Sequence, residues 1–328
     1  MKLLQFIVGL VVLIGIYLAG PVLDYPPINY QQASELPPNL EGLQQWLKDK
    51  ESGVTSLKPQ NEKLVVWAGE KAVKTPWSIV YIHGFSASRL ETAPLSDVLA
   101  KKLQANVFYT RLAGHGQDAN ELAKATPQDW VSDYVQALEI GHRLGEKVLV
   151  ISCSTGSTLA TLASEASVRR AFEAHVFISP NFGPKDKRAE IILLPWGKEI
   201  AQWIEGKTHQ TVASEPGEDL AWYKAYPTQA LFPMMHLVKL ARQSPLKDFH
   251  LPLLVLYSER DQVVDVNEIK TAFNAIGSNQ KQMLSIDYSE SKNQHVLAGS
   301  IKSPNAVEPL SEDILRWVRQ LETTQGFR

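Results

Sequence analysis

The sequence predicts an α/β fold, a mostly parallel sheet covered by helices on both faces. Three observations predict it. Short apolar runs alternate along the chain with stretches whose apolar residues recur every three or four positions. The short runs are continuous rather than alternating, which is how strands read when both faces of a sheet are buried. One of them, "KVLVIS", runs through Cys153, Ser154 and Thr155 straight into a helical pattern, so that a serine stands at a strand-to-helix joint.

The first element is "MKLLQFIVGLVVLIGIYLAGP", apolar or small after Lys2 except for Gln5. As a helix at ~1.5 Å per residue it reaches about 26 Å, near the thickness of a bilayer core. A cleaved signal peptide is the competing reading. Its apolar region would span about 7–15 residues and end on small residues, whereas Tyr17 is bulky and Pro21 follows Gly20. The expectation is therefore an uncleaved transmembrane anchor over residues 1–20. Lys2 is the sole basic residue before Lys48, and Asp24, Glu35 and Glu41 lie beyond the apolar run. The positive-inside bias then puts the body of the protein on the non-cytoplasmic side.

Residues 21–60 follow as a spacer stiffened by Pro21, Pro26, Pro27, Pro37 and Pro38, with a short amphipathic helix at "LEGLQQWLKDK". The main domain is expected over residues 61–328. Strands are expected at "KLVVWA", "SIVYIHG", "NVFYTRL", "KVLVIS", "HVFISP" and "PLLVLYS", and at "QMLSIDY" on a weaker pattern. Helices are expected at "SRLETAPLSDVLAKKL", with Leu95, Leu99 and Leu103 on one face, and from Thr126 to Gly145. Thr126 caps the latter, Pro127 takes its first position, and Trp130, Tyr134 and Leu138 form its buried stripe. Further helices are expected over Thr155 to Glu165 and after a Ser311 cap. Residues 181–244 break the alternation. They are rich in Trp, Tyr and Met and read as an inserted helical cap.

Composition narrows the function classes. A net charge of −2 with no basic block argues against a nucleic-acid partner. Cys153 is the single cysteine, so there is no intrachain disulfide and no thiolate metal site. The remaining histidines show no H-E-x-x-H or H-x-H spacing, and neither metal nor cofactor is called for.

The chemistry centres on Ser154. A strand–turn–helix joint is sharp, so the residues two before and two after its serine must be small. Ser152 and Gly156 meet this for Ser154, while Val150 and Ile151 rule out Ser152 and Cys153 as the nucleophile. A helix cap without chemistry is the competing reading of Ser154. A serine nucleophile needs a base held by an acid, in this arrangement in the order Ser, acid, His. Asp261 follows a strand end, with Glu259 and Asp265 as competitors, and His295 is the sole histidine downstream. Oxyanion donors are expected from the N–H of Thr155 and from the turn shaped by His83 and Gly84, where Phe85 supplies the second N–H.

Together "YIHGFSAS", "RLAGHG", "ISCSTG", "SERDQVVD" and "NQHV" resemble the α/β-hydrolase superfamily, and most its monoacylglycerol lipase and lysophospholipase-type serine hydrolases, from about Lys63 onward. The resemblance implies an eight-stranded, mostly parallel sheet with helices on both faces and a cap. It carries nucleophile, acid and base onto Ser154, Asp261 and His295, and the oxyanion donors onto Phe85 and Thr155. Ser152 departs from the usual glycine. Gly114, His115 and Gly116 fall on a rim-shaping turn. Trp196, Trp203, Trp222 and Tyr223 are candidates to line an acyl pocket, with packing of the cap's own core as the alternative. The expected activity is serine-dependent cleavage of carboxylic esters of acyl lipids. A thioesterase, amidase or small-ester carboxylesterase with the same triad, or a non-catalytic binding scaffold, are the alternatives.

Overall fold

The computed structural model describes residues 1–30, 35–163, 172–211 and 215–325. Its main sheet has seven strands among the described residues, one fewer than the resemblance implies, in the order β1-β3-β2-β4-β5-β8-β9. These are β1 (Leu64–Val66), β2 (Thr75–Ile82), β3 (Asn106–Tyr109), β4 (Gly145–Cys153), β5 (Phe172–Ile178), β8 (Leu253–Tyr257) and β9 (Lys281–Ser285). Every pairing is parallel except β1 with β3.

Both faces are dry. Val80, Ile82, Val148 and Val150 point to one side, where α5 (Pro127–Leu144) lays down Trp130, Tyr134 and Leu138. Ile79, Tyr81, Leu149 and Ile151 point to the other, against α3 (Leu95–Leu103) and α11 (Val307–Gln325). Each large side chain buried in this way contributes about 1.5–3 kcal/mol. Helix α5 starts where the sequence says: Thr126 accepts from the Asp129 N–H, and Asp129 returns a bond to the Thr126 N–H at 2.9 Å.

Several expectations are corrected. Ser311 does not cap the last helix. The chain enters α11 at Val307 through a 3₁₀ turn, and Ser311 sits inside it, its hydroxyl donating to the Glu308 carbonyl at 2.8 Å. Helix α6 (Thr155–Leu162) starts as expected, but Ser164 and Glu165 lie outside the described residues. The cap is not purely helical. It holds a 3₁₀ segment (Lys187–Leu193), α7 (Gly197–Glu205), α8 (Glu218–Ala221) and α9 (Leu231–Gln243), and also a two-stranded ribbon of β6 (Thr208–Gln210) and β7 (Ala225–Pro227). Helix α10 (Val266–Ala275), capped by Asp265, was hidden by the polar residues that dominate its exposed side.

The N-terminus differs most. Helix α1 (Lys2–Leu18) forms and buries none of its residues. It has 17 residues, and no helix among the described residues is long and apolar enough to cross a membrane. A helix of that length reaches about 26 Å against a core of about 30 Å. Its far end is tied to the cap: the indole N–H of Trp196 donates to the Ile16 carbonyl at 3.1 Å, and the Trp196 backbone N–H to that of Pro21 at 2.8 Å. The described residues of 21–60 pack on the domain rather than standing off it as a semi-rigid spacer. Leu23 and, from α2 (Leu43–Ser52), Leu43 and Leu47 are buried in the main core. Glu51 forms a bidentate, buried ion pair with Arg111, at 2.8 and 2.9 Å.

Candidate active site

The register of the central strands assembles the site. Ile82 of β2 lies opposite Ser152 of β4, and Cys153 opposite Ile178 of β5, so these three strands end together. The segments that leave them carry His83 and Gly84, Ser154, and Ser179. Strand β8 ends four residues before Asp261, and β9 ten before His295.

Ser154 turns the chain from β4 into α6 at φ 51°, ψ −115°, a conformation a side-chain-bearing residue holds only under constraint. The constraint is visible in its bonds. Its N–H donates to the Ile178 carbonyl at 2.9 Å, and its carbonyl accepts from Ser157 at 3.0 Å and Asn181 at 3.2 Å. The glycine at plus two lets α6 approach β2 closely, since a Cβ on Gly156 would lie 2.4 Å from the Ile82 carbonyl oxygen. At minus two the serine is accommodated: Ser152 is fully buried and its hydroxyl is paired with that of Ser157 at 3.0 Å.

His295 Nδ1–H donates to Asp261 Oδ2 at 2.8 Å, and Asp261 Oδ1 accepts from the Val263 and Val264 N–H groups at 2.7 and 2.9 Å. Both side chains are buried. Burial alone would lower the imidazole pKa. The charge of Asp261 and its hydrogen bond, with a smaller contribution from Glu91, outweigh it and raise the pKa above 6.5. The competing acids are occupied elsewhere: Glu259 pairs with Lys270 and accepts from Tyr257, and Asp265 caps α10 and pairs with Lys187.

The Gly84–Phe85–Ser86 turn is clamped from beneath. Leu112 N–H donates to His83 Nε2 at 3.0 Å, so the proton of His83 is on Nδ1, which donates to the Gly84 carbonyl at 2.8 Å. Ser86 N–H donates to His115 Nε2 at 3.1 Å, and the Ser86 carbonyl accepts from Tyr223 N–H at 3.0 Å. Burial keeps both imidazoles neutral, lowering the pKa of His83 to about 4 and that of His115 well below 6.5. Gly114 and Gly116, both at positive φ, aim His115 at the turn. Among the described residues neither Phe85 nor Thr155 spends its backbone N–H on a protein acceptor.

Ser154, His295, Phe85 and Thr155 line one cavity of about 440 Å³. Its far wall is apolar and comes largely from the cap, through Ile191, Ile192, Ala201, Ile204, Leu231 and Met234. Of the four aromatic candidates only Trp222 is in this lining. Trp196 is bonded to the end of α1, Trp203 is 85% exposed, and Tyr223 is buried with its hydroxyl donating to the Gly114 carbonyl at 2.8 Å. Two features went unread in the sequence. The His115 clamp is formed across 29 residues of chain. Glu91 lies in the cavity wall, fully buried, with no motif to single it out.

Residues 74–289 match the hydrolase family described as serine aminopeptidase, S33. Over 209 residues the chain is 23% identical to a thermostable monoacylglycerol lipase from Bacillus sp. (strain H-257), covering 64% of this chain and 80% of that one. Its fold is similar to that of a solved structure described with LipS and LipT, two metagenome-derived lipolytic enzymes, with TM-score 0.65, 22% identity, and coverage of 81% of this chain and 100% of that. It is also similar to a soluble variant of monoglyceride lipase from Saccharomyces cerevisiae in complex with a substrate analogue, with TM-score 0.55, 11% identity, and coverage of 79% and 91%. At these identities the likeness to the solved structures is one of fold.

Proposed function

The chain belongs to the serine aminopeptidase S33 family of hydrolases, and from that premise we propose that it cleaves carboxylic esters of acyl lipids, such as monoacylglycerols or lysophospholipids, through an acyl-enzyme on Ser154. The observation that carries this reading is His295, bonded to Asp261, lining together with Ser154 a cavity whose far wall is apolar. His295 Nε2 takes the hydroxyl proton as Ser154 Oγ attacks the acyl carbon. Asp261 fixes the tautomer and stabilises the imidazolium. The Phe85 and Thr155 N–H groups hold the oxyanion, and His295 then delivers its proton to the leaving alcohol. Water repeats the sequence to release the acid.

The family description suggests peptide amines as rivals, and the charges of the cavity speak against them. Recognition of an amino terminus calls for an uncommitted carboxylate. Among the lining carboxyl groups Asp186 pairs with Arg188 and Glu218 with Lys302, Glu205 lies 3.4 Å from His209, and Glu91 accepts from the Gly84 N–H and the Tyr81 hydroxyl. A panel of monooleoylglycerol, a lysophosphatidylcholine, an acyl thioester and an aminoacyl anilide tests the reading. Turnover of the acyl esters is expected to lead, and preferred cleavage of the anilide would overturn it.

For localisation we propose that α1, apolar on all sides and wholly exposed, holds the catalytic domain at a lipid surface. Flotation of the full chain with liposomes, lost on deletion of residues 1–20, is the expected result, and flotation that survives the deletion refutes it.

A further inference from the structure

Glu91 is a carboxyl group buried beneath the site that the hydrolytic scheme does not use. It closes a 3₁₀ turn (Arg89–Glu91) capped by Ser88, whose hydroxyl accepts the Leu90 N–H at 3.3 Å. A single oxygen, Oε1, accepts the Gly84 N–H at 2.7 Å and the Tyr81 hydroxyl at 2.9 Å. With His83 on the Gly84 carbonyl and His115 on the Ser86 N–H, the peptide groups on both sides of Phe85 are fixed, and Glu91 is the one charged member of that clamp.

The same turn supports the segment that carries the base. Gly299, four residues after His295, packs so closely on Glu91 that a Cβ there would lie 2.6 Å from the Glu91 carbonyl oxygen, and Ser300 N–H donates to the Ala93 carbonyl at 2.8 Å. The titratable groups facing the carboxyl are Tyr81 from β2, Cys153 from the end of β4, and His295. Asp261 in turn faces His295 and Cys153.

We propose that Glu91 is a positioning residue of the reaction, whose Oε1 holds the Gly84 N–H so that the neighbouring Phe85 N–H stays aimed at the oxyanion, and whose charge acts on His295. The proposal rests on the serine-hydrolase reading above. Burial pushes the Glu91 pKa up to about 7, against the lowering by its hydrogen bonds, so its charge changes in the range where His295 works. Oε1 can accept both bonds as a carboxylate or as the carbonyl oxygen of the acid. The positioning thus survives protonation while the field on His295 does not.

The two roles separate by substitution. Glu91→Gln keeps an acceptor oxygen and removes the charge, whereas Glu91→Ala removes both. On p-nitrophenyl butyrate, Glu91→Ala is expected to lower kcat about 10- to 100-fold with little change in KM, the signature of a lost transition-state contact. Glu91→Gln is expected to recover most of kcat and to shift the acidic limb of kcat/KM to lower pH, because the carboxylate that favours the imidazolium is gone. A parental kcat in Glu91→Ala, a Glu91→Gln as slow as Glu91→Ala, or an unmoved acidic limb would overturn the proposal. Glu91→Gln is nearly isosteric, and its pH profile decides the matter alone should Glu91→Ala not fold. A parent that neither turns over esters nor reacts with a fluorophosphonate removes the hydrolase reading and this proposal with it. An active parent indifferent to both substitutions removes only the proposal.

Discussion

Gly156→Ala reports on how the nucleophile turn and the oxyanion turn are fitted together. The added Cβ would stand 2.4 Å from the Ile82 carbonyl oxygen and 2.9 Å from that of His83, both backbone atoms that have no rotamer to change. Ordinary contact begins at 3.4 Å, so α6 and the end of β2 must part by about 1 Å. Ile82 and His83 lead directly into Gly84 and Phe85, so the displacement falls on the proposed oxyanion donor, the Phe85 N–H, relative to Ser154. A misplacement of about 1 Å costs on the order of 10²-fold in rate, or about 2.7 kcal/mol of barrier. Overpacking adds a stability loss of about 1–3 kcal/mol. The assay is kcat on p-nitrophenyl butyrate beside a thermal melt. The expected variant is folded, has a lower Tm, and is slowed about a hundredfold at similar KM. A folded Gly156→Ala with parental kcat would refute the reasoning, since the two turns would then not be in the contact described.

Three further outcomes follow from the site and its support. Asp261→Asn leaves His295 without its carboxylate and able to adopt the wrong tautomer, and kcat is expected to fall about 10⁴-fold with the fold intact; a loss under tenfold would return Glu259 or Asp265 to consideration. The pKa of His295 is raised, and the base must be neutral to act, so kcat/KM should climb with pH through an apparent pKa above 6.5; a limb below 6.5 contradicts the Asp261 contact. Arg111→Met leaves Glu51 buried without its guanidinium partner, with the Lys63 N–H still bonding it, and is expected to cost about 3–5 kcal/mol at neutral pH, read by urea denaturation. In the parent, burial raises the Glu51 pKa, but the bonds and charge of Arg111 bring it below the usual value, so its contribution is present above about pH 4.3 and is lost as pH falls through the folded pKa. In the variant the carboxyl keeps the Lys63 N–H at 3.0 Å but has lost the guanidinium, and burial then raises its pKa relative to the parent, so the deficit should shrink on acidification; a deficit that grows toward low pH would contradict the assignment.

The sheet and its flanking helices were legible because local pattern and tertiary role agree there. The continuous apolar runs of β2, β4, β5 and β8 are buried on both faces, and Thr126, Pro127 and Asp129 cap α5 through bonds within four residues of chain. The strand-to-helix turn at Ser154 could be located because a sharp turn dictates the size of its own neighbours. What stayed hidden depends on distant partners. Glu91 reads as one more surface acid until Gly84 and Tyr81 are seen to bond it. His115 gains its role from Ser86, 29 residues away. The cap aromatics carry no period that separates lining from packing: of the four candidates only Trp222 faces the cavity, and Tyr226, which the pattern did not single out, faces it too. The prolines after α1 suggested an extended spacer, but Leu23, Leu43 and Leu47 find the core and bind that segment to the domain.

The proposed chemistry stands or falls on Ser154 as the nucleophile. Reaction of the full chain with a fluorophosphonate, followed by intact mass and peptide mapping, tests this most directly. The expected result is a single adduct on Ser154, absent in Ser154→Ala and strongly slowed in His295→Ala, with ester turnover lost in step. An adduct that persists in Ser154→Ala, or a folded parent that stays unmodified, would contradict it.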